Sequence, residues 1–133
     1  MIVEAHDVLF NITGVSVARC CMVPNNVLPA RVNQHVMIVR PYDGELMSYY
    51  IMFTLCSSEN KSKLLGIGQS GSTREAINKQ ELETFEIALP DNKILSQFGT
   101  QAKHFYKYIY SNVKEIHTLE EVKSVLLTQI SSR

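Results

Sequence analysis

The last third of the chain carries the pattern that most constrains its fold. Apolar residues recur every three or four positions there, and they are Phe98, Ala102, Phe105, Ile109, Val113, Ile116, Leu119, Val122, Leu126 and Ile130. Such a stripe is typical of a long helix that packs lengthwise against another helix, as in a coiled coil. The pattern predicts one continuous helix over roughly Ser96 to Ser131, within a spacer or dimerisation segment at 92–133. Thr118 and Glu121 have the spacing of a capping box, so a second helix starting there is the alternative.

The length of this helix matters as much as its pattern. A run of about 36 residues, at about 1.5 Å for each residue, would extend for about 54 Å. That length exceeds the diameter expected for the rest of so short a chain. Part of the stripe should therefore contact a partner outside its own domain.

The residues before the helix, 1–91, favour a small β-rich unit. Val8–Thr13 is rich in β-branched and aromatic residues, and Val15–Val23 follows it after a break, so the two predict a β-hairpin. Val32–Arg40 alternates with both faces apolar, which predicts a strand that is central or buried on both sides. Thr84–Leu89 alternates again and predicts a further strand. The expected fold class is α+β, with a mixed or antiparallel sheet followed by the long helix.

Shorter helical patterns lie between these strands. Glu45–Cys56 has apolar residues at helical spacing, and Asp43 is positioned to cap it. Three glycines fall between residues 64 and 76, and this stretch is predicted to be a loop without regular structure. Asn78 and Glu81 then have the spacing of a capping box, which predicts the start of a short helix.

The bulk composition indicates one soluble domain. At 133 residues, 45% hydrophobic and 20% charged, the chain has enough apolar material for a core. No apolar run approaches the roughly 18 residues of a membrane span. The N-terminus lacks the early basic residues of a secretory signal, so a cytoplasmic location is expected. The three cysteines are an odd number and two are adjacent, which does not suggest a disulfide framework.

Catalytic and metal-binding patterns are weak. Cys20 or Cys21 with His35 would be the only nucleophile–base combination, and strand cysteines are more often small core residues. The four histidines are scattered without paired ligand spacing. The sequence thus predicts a non-catalytic protein with no cofactor and no metal.

Two polar clusters are the candidates for binding. The first contains Gln69, Ser70, Ser72, Thr73, Arg74, Asn78 and Lys79, and the second contains Arg31, Asn33, Gln34 and His35. These side-chain types hydrogen-bond base edges and contact phosphates in protein–DNA complexes. The alternatives are that the first cluster is a solvated loop and that Asn33 and Gln34 bond only the local backbone. A net charge of zero does not by itself indicate nucleic-acid binding.

Four motifs, in this order, resemble one family. They are HDVLFNITGVSVAR, in which Asp7 to Arg19 match; NQHV, at Asn33 to Val36; the segment from Gly71 to Pro90; and the helix from Lys114 to Leu127. Together they are similar to the specificity subunit of type I restriction–modification enzymes. The resemblance covers the C-terminal part of one target-recognition domain and the spacer helix that follows it.

The resemblance implies a function. In that family two recognition domains each read half of a bipartite site in double-stranded DNA, and their long helices pack antiparallel as a spacer. Separate methylase and restriction subunits carry out the chemistry. It implies that this chain is a non-catalytic DNA-recognition component, with DNA contacts in the two polar clusters. Because only one helix is present, we expect a homodimer through residues 98–130. The alternative is a remnant that acts only as a helix-mediated interaction module.

Overall fold

A three-stranded antiparallel sheet forms the centre of the N-terminal part, in a computed structural model that describes residues 1–69 and 76–131. Strand β1 (Val8–Asn11) lies in the middle, between β2 (Cys20–Met22) and β3 (Val36–Val39). Phe10 fixes the register, since it pairs with Cys20 on one side and Met37 on the other. The antiparallel pairing of β1 and β2 confirms the predicted hairpin.

Alternation along β1 explains its central position. Val8 and Phe10 are both fully buried, whereas Leu9 between them and Asn11 after them are half-buried. A strand with side chains pointing alternately to opposite faces can bury two such residues on one face while its backbone pairs on both edges. The two residues contribute to different clusters of the core, Phe10 with Leu55, Leu64 and Ile77, and Val8 with Met22, Tyr49, Met52 and Ala102.

Two predicted strands are shorter than the sequence indicated. Only Cys20–Met22 of Val15–Val23 is a strand, and a 3-10 turn at Gly14–Ser16, in which Val15 is 96% exposed, overlaps the start of the predicted strand. Only Val36–Val39 of Val32–Arg40 is a strand, and it lies at the edge of the sheet with half-buried side chains. The prediction of a central strand was wrong because β1, paired to both neighbours, occupies the centre.

The predicted strand Thr84–Leu89 is absent from the described sheet. The segment follows a short helix without entering the strand ladder. Phe85 packs on the core and the Tyr50 hydroxyl donates to the Ala88 carbonyl, so side-chain contacts take the place of strand pairing. Its alternating pattern therefore reflects packing against helices rather than a sheet.

Helix α1 (Glu45–Cys56) has the predicted bounds. Its N-cap is Gly44, at φ 84°, and no side chain caps it, so the role assigned to Asp43 was wrong. Helix α2 (Ser58–Gln69) was not predicted and runs through two glycines of the supposed loop. Gly68 packs closely against Ile77, since a Cβ there would lie 3.2 Å from the Ile77 side chain, which would have to shift to admit it.

Helix α3 (Lys79–Glu83) begins with the predicted capping box. The Asn78 side chain accepts from the Glu81 backbone at 2.8 Å, and the Glu81 carboxylate accepts from the Asn78 backbone at 2.7 Å. Two of the unpaired N–H groups at the start of a helix are satisfied in this way.

Helix α4 (Asn92–Ser131) is one continuous helix of 40 residues. At about 1.5 Å per residue it is about 60 Å long. The alternative of a second helix starting at Thr118 was wrong, because the Thr118 hydroxyl donates to the Lys114 carbonyl one turn earlier in the same helix. The sheet, the shorter helices and α4 together confirm the α+β fold class.

The first turns of α4 pack against α1. Gly99 and Ala102 are the buried residues of α4 among the described positions. A Cβ on Gly99 would lie 2.8 Å from the Leu46 Cβ and 3.2 Å from its Cα, so only glycine permits this close approach of the helices. These two small residues thus allow the first turns of α4, which we call its root, to pack closely on the N-terminal part.

Candidate nucleic-acid interface and helix-packing surface

The two predicted polar clusters meet at the end of β1. The Ile12 N–H donates to the His35 carbonyl at 2.9 Å, and the Ile77 N–H donates to the Ile12 carbonyl at 2.9 Å. Thr13 forms a bridge with Ala76, and its hydroxyl lies 2.9 Å from the His35 Nδ1. His35, Ala76 and Ile77 therefore flank the same two residues, and they belong to the segments 31–35 and 76–79. We call these two segments the β1-end surface.

In the first segment of the β1-end surface, Arg31 and Gln34 have exposed side chains. Arg31 is held by its backbone, which bridges to Ile2. Asn33 is exposed too, but its Oδ1 accepts from the His35 N–H at 2.9 Å. The hydrogen bond to the local backbone that was the alternative for Asn33 is therefore present. Arg31 and Gln34 are the more available side chains of this segment for contact with an external ligand.

In the second segment, Asn78 and Lys79 are exposed. The capping box occupies the Asn78 carbonyl oxygen, and Lys79 Nζ lies 3.3 Å from a Glu83 carboxylate oxygen. An exposed pair of this kind is weak, so Lys79 remains able to contact an anion. Glu81 and Glu83 nevertheless reduce the positive charge of this part of the surface.

The remaining predicted DNA contacts lie outside the described residues. They are Ser72, Thr73 and Arg74, with Ser70 beside them, and the side chain of Gln69 at the end of α2. The described part of the predicted interface is therefore Arg31, Asn33, Gln34, Asn78 and Lys79.

The start of the apolar stripe is occupied by the chain itself. Ala102 is only 4% exposed, within the core cluster of Tyr49 and Met52, so its assignment to an external helix interface was wrong. Phe98 is 38% exposed and makes edge-to-face contacts with Tyr50 and Phe53, at centroid distances of 5.7 and 6.2 Å. The hydrophobic period alone did not separate these intramolecular contacts from the rest.

Polar contacts fix the same part of α4. Lys103 Nζ lies 2.7 Å from a Glu45 carboxylate oxygen, and the Tyr106 hydroxyl donates to the Met22 carbonyl at 2.8 Å. The Tyr106 ring packs edge-to-face on Tyr49 at 5.6 Å. These contacts connect α4 to both α1 and β2, so the direction in which the helix leaves the domain is set by the fold.

Beyond this root the stripe is exposed. The predicted interface residues outside the core are 50–72% exposed as whole residues, and they are Phe105, Ile109, Val113, Ile116, Leu119, Val122, Leu126 and Ile130. Every residue from 111 to 131 is exposed. Where the stripe leaves the domain, a groove of about 190 Å³ is lined by Phe53, Phe98, Gln101, Ala102 and Phe105. We call the exposed stripe and this groove the α4 surface.

A buried ion pair was not predicted from the sequence. Asp7 is 1% exposed, and Arg40 donates to both of its carboxylate oxygens, at 2.6 and 2.7 Å. Arg40 also donates to Glu4 at 2.7 Å. Burial raises the pKa of the Asp7 carboxyl, but the hydrogen bonds from Arg40 and the Glu4 backbone, with the Arg40 charge, outweigh burial and hold the pKa below its usual range.

The position of this ion pair indicates a structural role. Asp7 precedes β1 and Arg40 follows β3, so the pair joins the ends of two neighbouring strands. Asp7 belongs to the first family-like motif, but nothing in the spacing of the two residues identifies its partner.

Comparison with known proteins identifies no family for this chain. No protein-family model matches this chain, and no curated protein sequence matches it. Within residues 1–69 and 76–131, no helix is long and apolar enough to span a membrane. In the same ranges no three His, Cys, Asp or Glu side chains converge to hold a metal ion.

Proposed function

We propose that this chain is a non-catalytic DNA-recognition component of a type I restriction–modification system, acting in the cytoplasm. The β1-end surface would face double-stranded DNA, and α4 would be the spacer. The observation that carries the proposal is the exit of α4 from its domain with an exposed apolar stripe. Methylase and restriction subunits would supply the chemistry, as the four family-like motifs imply.

The α4 surface requires a partner of matching shape. Eight stripe residues, each at least half exposed, present a long apolar row to water. Such rows are covered by another helix in most coiled coils. A second copy of α4 offers the same row and the same length, so a homodimer covers both rows at once.

The energy available is of the right size for a dimer. Complete burial of an aliphatic side chain is worth about 1.5–3 kcal/mol, and about half of this remains to be gained for side chains that are half exposed. Eight residues on each helix then contribute on the order of 16 kcal/mol before costs. The loss of translational and rotational freedom removes about 4–15 kcal/mol. A dimer stable at micromolar concentration is within this range.

The α4 surface is tested by placing charges on the stripe. Ile109→Lys with Ile116→Lys removes four apolar contacts from each dimer, which costs on the order of 4 kcal/mol from lost burial. That corresponds to an increase of about a thousandfold in the dimer Kd, measured by sedimentation equilibrium or light scattering. The matched control is Ser111→Lys with Thr118→Lys, which adds the same charge to exposed positions off the stripe.

The two double variants distinguish dimerisation through the α4 stripe from dimerisation through another surface. We expect the stripe variant to be monomeric and the control variant to remain a dimer. A stripe variant that dimerises as well as the unmodified chain would exclude α4 as the interface and remove the spacer role.

The β1-end surface is tested by DNA binding. Each phosphate contact makes affinity fall with salt, and loss of one contact lowers the slope of log K against log salt by about 1. Arg31→Ala should weaken binding of a randomised duplex by this route, measured by fluorescence anisotropy between about 50 and 200 mM salt. Arg74→Ala should in addition relax the sequence preference, measured by selection from the randomised pool.

Lys114→Ala is the control, because it removes the same charge from α4. Equal effects of Arg31→Ala and Lys114→Ala would show that the β1-end surface is not the DNA contact.

The second candidate is a module that acts only through α4. The formal charge of zero and the carboxylates of Glu81 and Glu83 beside Lys79 favour it, since DNA binding normally needs a basic surface. This candidate predicts dimerisation without retardation of any duplex from the randomised pool. Binding that falls steeply with salt and depends on Arg31 would exclude it.

A further inference from the structure

A cavity of about 320 Å³ lies between the root of α4, the N-terminus of α1 and the residues that follow β2. This volume is within the range of about 300–1,000 Å³ in which small-molecule sites fall. The α4 residues that line it are Lys103, Tyr106, Lys107 and Tyr110, and none of them belongs to the apolar stripe. The cavity is therefore separate from the α4 surface, and we call it the tyrosine cavity.

The inner wall of the tyrosine cavity is apolar and aromatic. Met22 and Val23 are each 3% exposed and Tyr49 is 4% exposed, so these lining residues close its inner end. The Tyr106 ring is held by its hydrogen bond to the Met22 carbonyl at 2.8 Å and by its edge-to-face contact with Tyr49. Tyr110 follows one turn later on α4 and is half-buried. Aromatic side chains fixed in this way form a surface on which a planar ring can pack.

The carboxylate of Glu45, which lines the cavity, is paired within the fold. Its Oε2 lies 2.7 Å from Lys103 Nζ, and its Oε1 accepts from the Tyr49 hydroxyl at 3.2 Å. Tyrosine rings beside a carboxylate can bind a cation. Here a ligand cation would compete with Lys103 for the same carboxylate, so the arrangement does not favour a cationic ligand.

Positive and hydrogen-bonding groups lie at the mouth of the cavity. Lys107 is exposed and forms no ion pair with a carboxylate in the described part of the chain. Lys103, Lys107 and Lys114 follow one another at intervals of four and seven residues, so they share one face of α4. Asn25 and Asn26, exposed in the turn after β2, add side-chain amides. The mouth therefore favours an anionic group.

One polar atom beside the cavity lacks a hydrogen bond. His6 Nδ1 is shielded from solvent and has no hydrogen-bond partner within residues 1–69 and 76–131, although it lies 3.3 Å from Glu45 Oε1. Buried polar atoms are normally hydrogen-bonded, and an exception commonly belongs to a functional site.

We propose that the tyrosine cavity binds a small ligand that joins a planar aromatic ring to an anionic group. The ring packs against Tyr106 and Tyr110, and the anion lies at the mouth beside Lys107. A phosphate ester and a carboxylate share this chemistry, so a nucleoside monophosphate and an aromatic carboxylic acid are the two sources of such a ligand. The proposal depends neither on DNA binding nor on dimerisation of the chain.

Four probes separate the contributions of the ring and the charge. Phenyl phosphate and phenylacetate have both features, benzylamine has the ring with a cation, and inorganic phosphate has the anion alone. For a ligand of about 11 non-hydrogen atoms, an ordinary affinity per atom corresponds to a Kd of about 4 mM. The full chain is titrated with each probe to about 20 mM at constant ionic strength, and amide chemical shifts are followed by NMR. We expect the two anionic aromatic probes to bind, with shifts confined to residues 22–26, 45–49 and 103–110.

Charge reversal at the mouth tests the role of Lys107. Lys107→Glu should weaken both anionic aromatic probes by about tenfold, because an attraction is lost and a repulsion replaces it. The matched control is Lys123→Glu, which makes the same charge change at an exposed position of α4 outside the cavity and should leave both affinities unchanged.

Removal of a ring tests the aromatic wall. Tyr110→Ala should weaken the same probes by about fivefold through loss of an aromatic contact. Tyr108→Ala is the control, because Tyr108 is 60% exposed and does not line the cavity. Circular dichroism confirms that each variant is folded.

Each outcome decides for or against the proposal. Binding of phenyl phosphate, phenylacetate or both supports it, and the tighter of the two identifies the anionic group. The proposal is overturned if neither binds below about 20 mM, or if benzylamine or inorganic phosphate binds as tightly as they do. Equal effects of Lys107→Glu and Lys123→Glu, or shifts that lie elsewhere in the chain, would also overturn it.

Discussion

The ion pair between Asp7 and Arg40 offers a sharp test of what holds the sheet together. Arg40→Met keeps most of the aliphatic length of the side chain and removes its charge and hydrogen bonds. Asp7, 1% exposed, would then be a buried carboxylate without its two Arg40 bonds, and it would keep only the Glu4 backbone N–H at 2.7 Å. Asp7→Asn combined with Arg40→Met removes both charges and isolates the cost of the unpaired carboxylate.

The size of the effect follows from the burial of the two partners. Removing one partner of a buried pair costs about 3–5 kcal/mol. Arg40 is 44% exposed, so solvent already screens part of the interaction, and we expect about 2–3 kcal/mol. At about 4 °C for each kcal/mol in a domain of this size, the melting temperature should fall by about 10 °C. The double variant should recover part of this loss.

The sign of the pH dependence is fixed by the depressed pKa of Asp7. A carboxyl whose folded pKa lies below its unfolded value contributes stability above that unfolded value, about pH 4, and loses it as the pH falls through the folded pKa. The difference between the unmodified chain and Arg40→Met should thus be full at pH 7 and shrink below about pH 4.

Urea unfolding followed by circular dichroism at several pH values measures this difference. Arg31→Met is the matched control, because Arg31 is exposed, and it should change stability by less than about 0.5 kcal/mol. A loss below about 1 kcal/mol for Arg40→Met, or a loss independent of pH, would refute the argument that Asp7 needs its partner.

Three further substitutions concern helices. Gly99→Ala should destabilise the chain by about 1–3 kcal/mol, because its Cβ would lie 2.8 Å from that of Leu46. Gly66→Ala, in open space within α2, should stabilise by about 0.5–1 kcal/mol, and thermal melting that fails to order these two variants would contradict the packing of α4 on α1. Asn78→Ala should cost about 1 kcal/mol in urea unfolding through loss of the capping box with Glu81, and an unchanged midpoint would show that the cap contributes nothing.

Local patterns predicted those elements whose cause is local. Glu45–Cys56 and the capping box at Asn78 were correct because helical spacing and cap chemistry act within a few residues. The long helix was correct for the same reason, and its start was four residues earlier than the pattern indicated. Helix α2 was missed because three glycines suggested a loop, whereas Gly66 and Gly68 lie within the helix and Gly68 packs closely against Ile77.

Features that depend on distant residues were not predictable in this way. The central place of β1 follows from pairing with two strands, and alternation in Val32–Arg40 does not distinguish a centre from an edge. Ala102 has the same period as Ile109, but only the position of α1 makes one buried and the other exposed. The meeting of the two polar clusters at Ile12 likewise depends on backbone bonds across more than twenty residues.

The exit of α4 from its domain also affects how the chain folds. In residues 111–131 every side chain is exposed, so the helical backbone bonds there gain little from packing on the N-terminal part. Isolated helices of this length are marginal in water, and their stability in proteins comes mainly from an amphipathic face against a partner. The distal amides should then exchange with deuterium quickly in dilute solution and slowly as protein concentration rises. The helical order of this segment would therefore depend on the concentration of the chain.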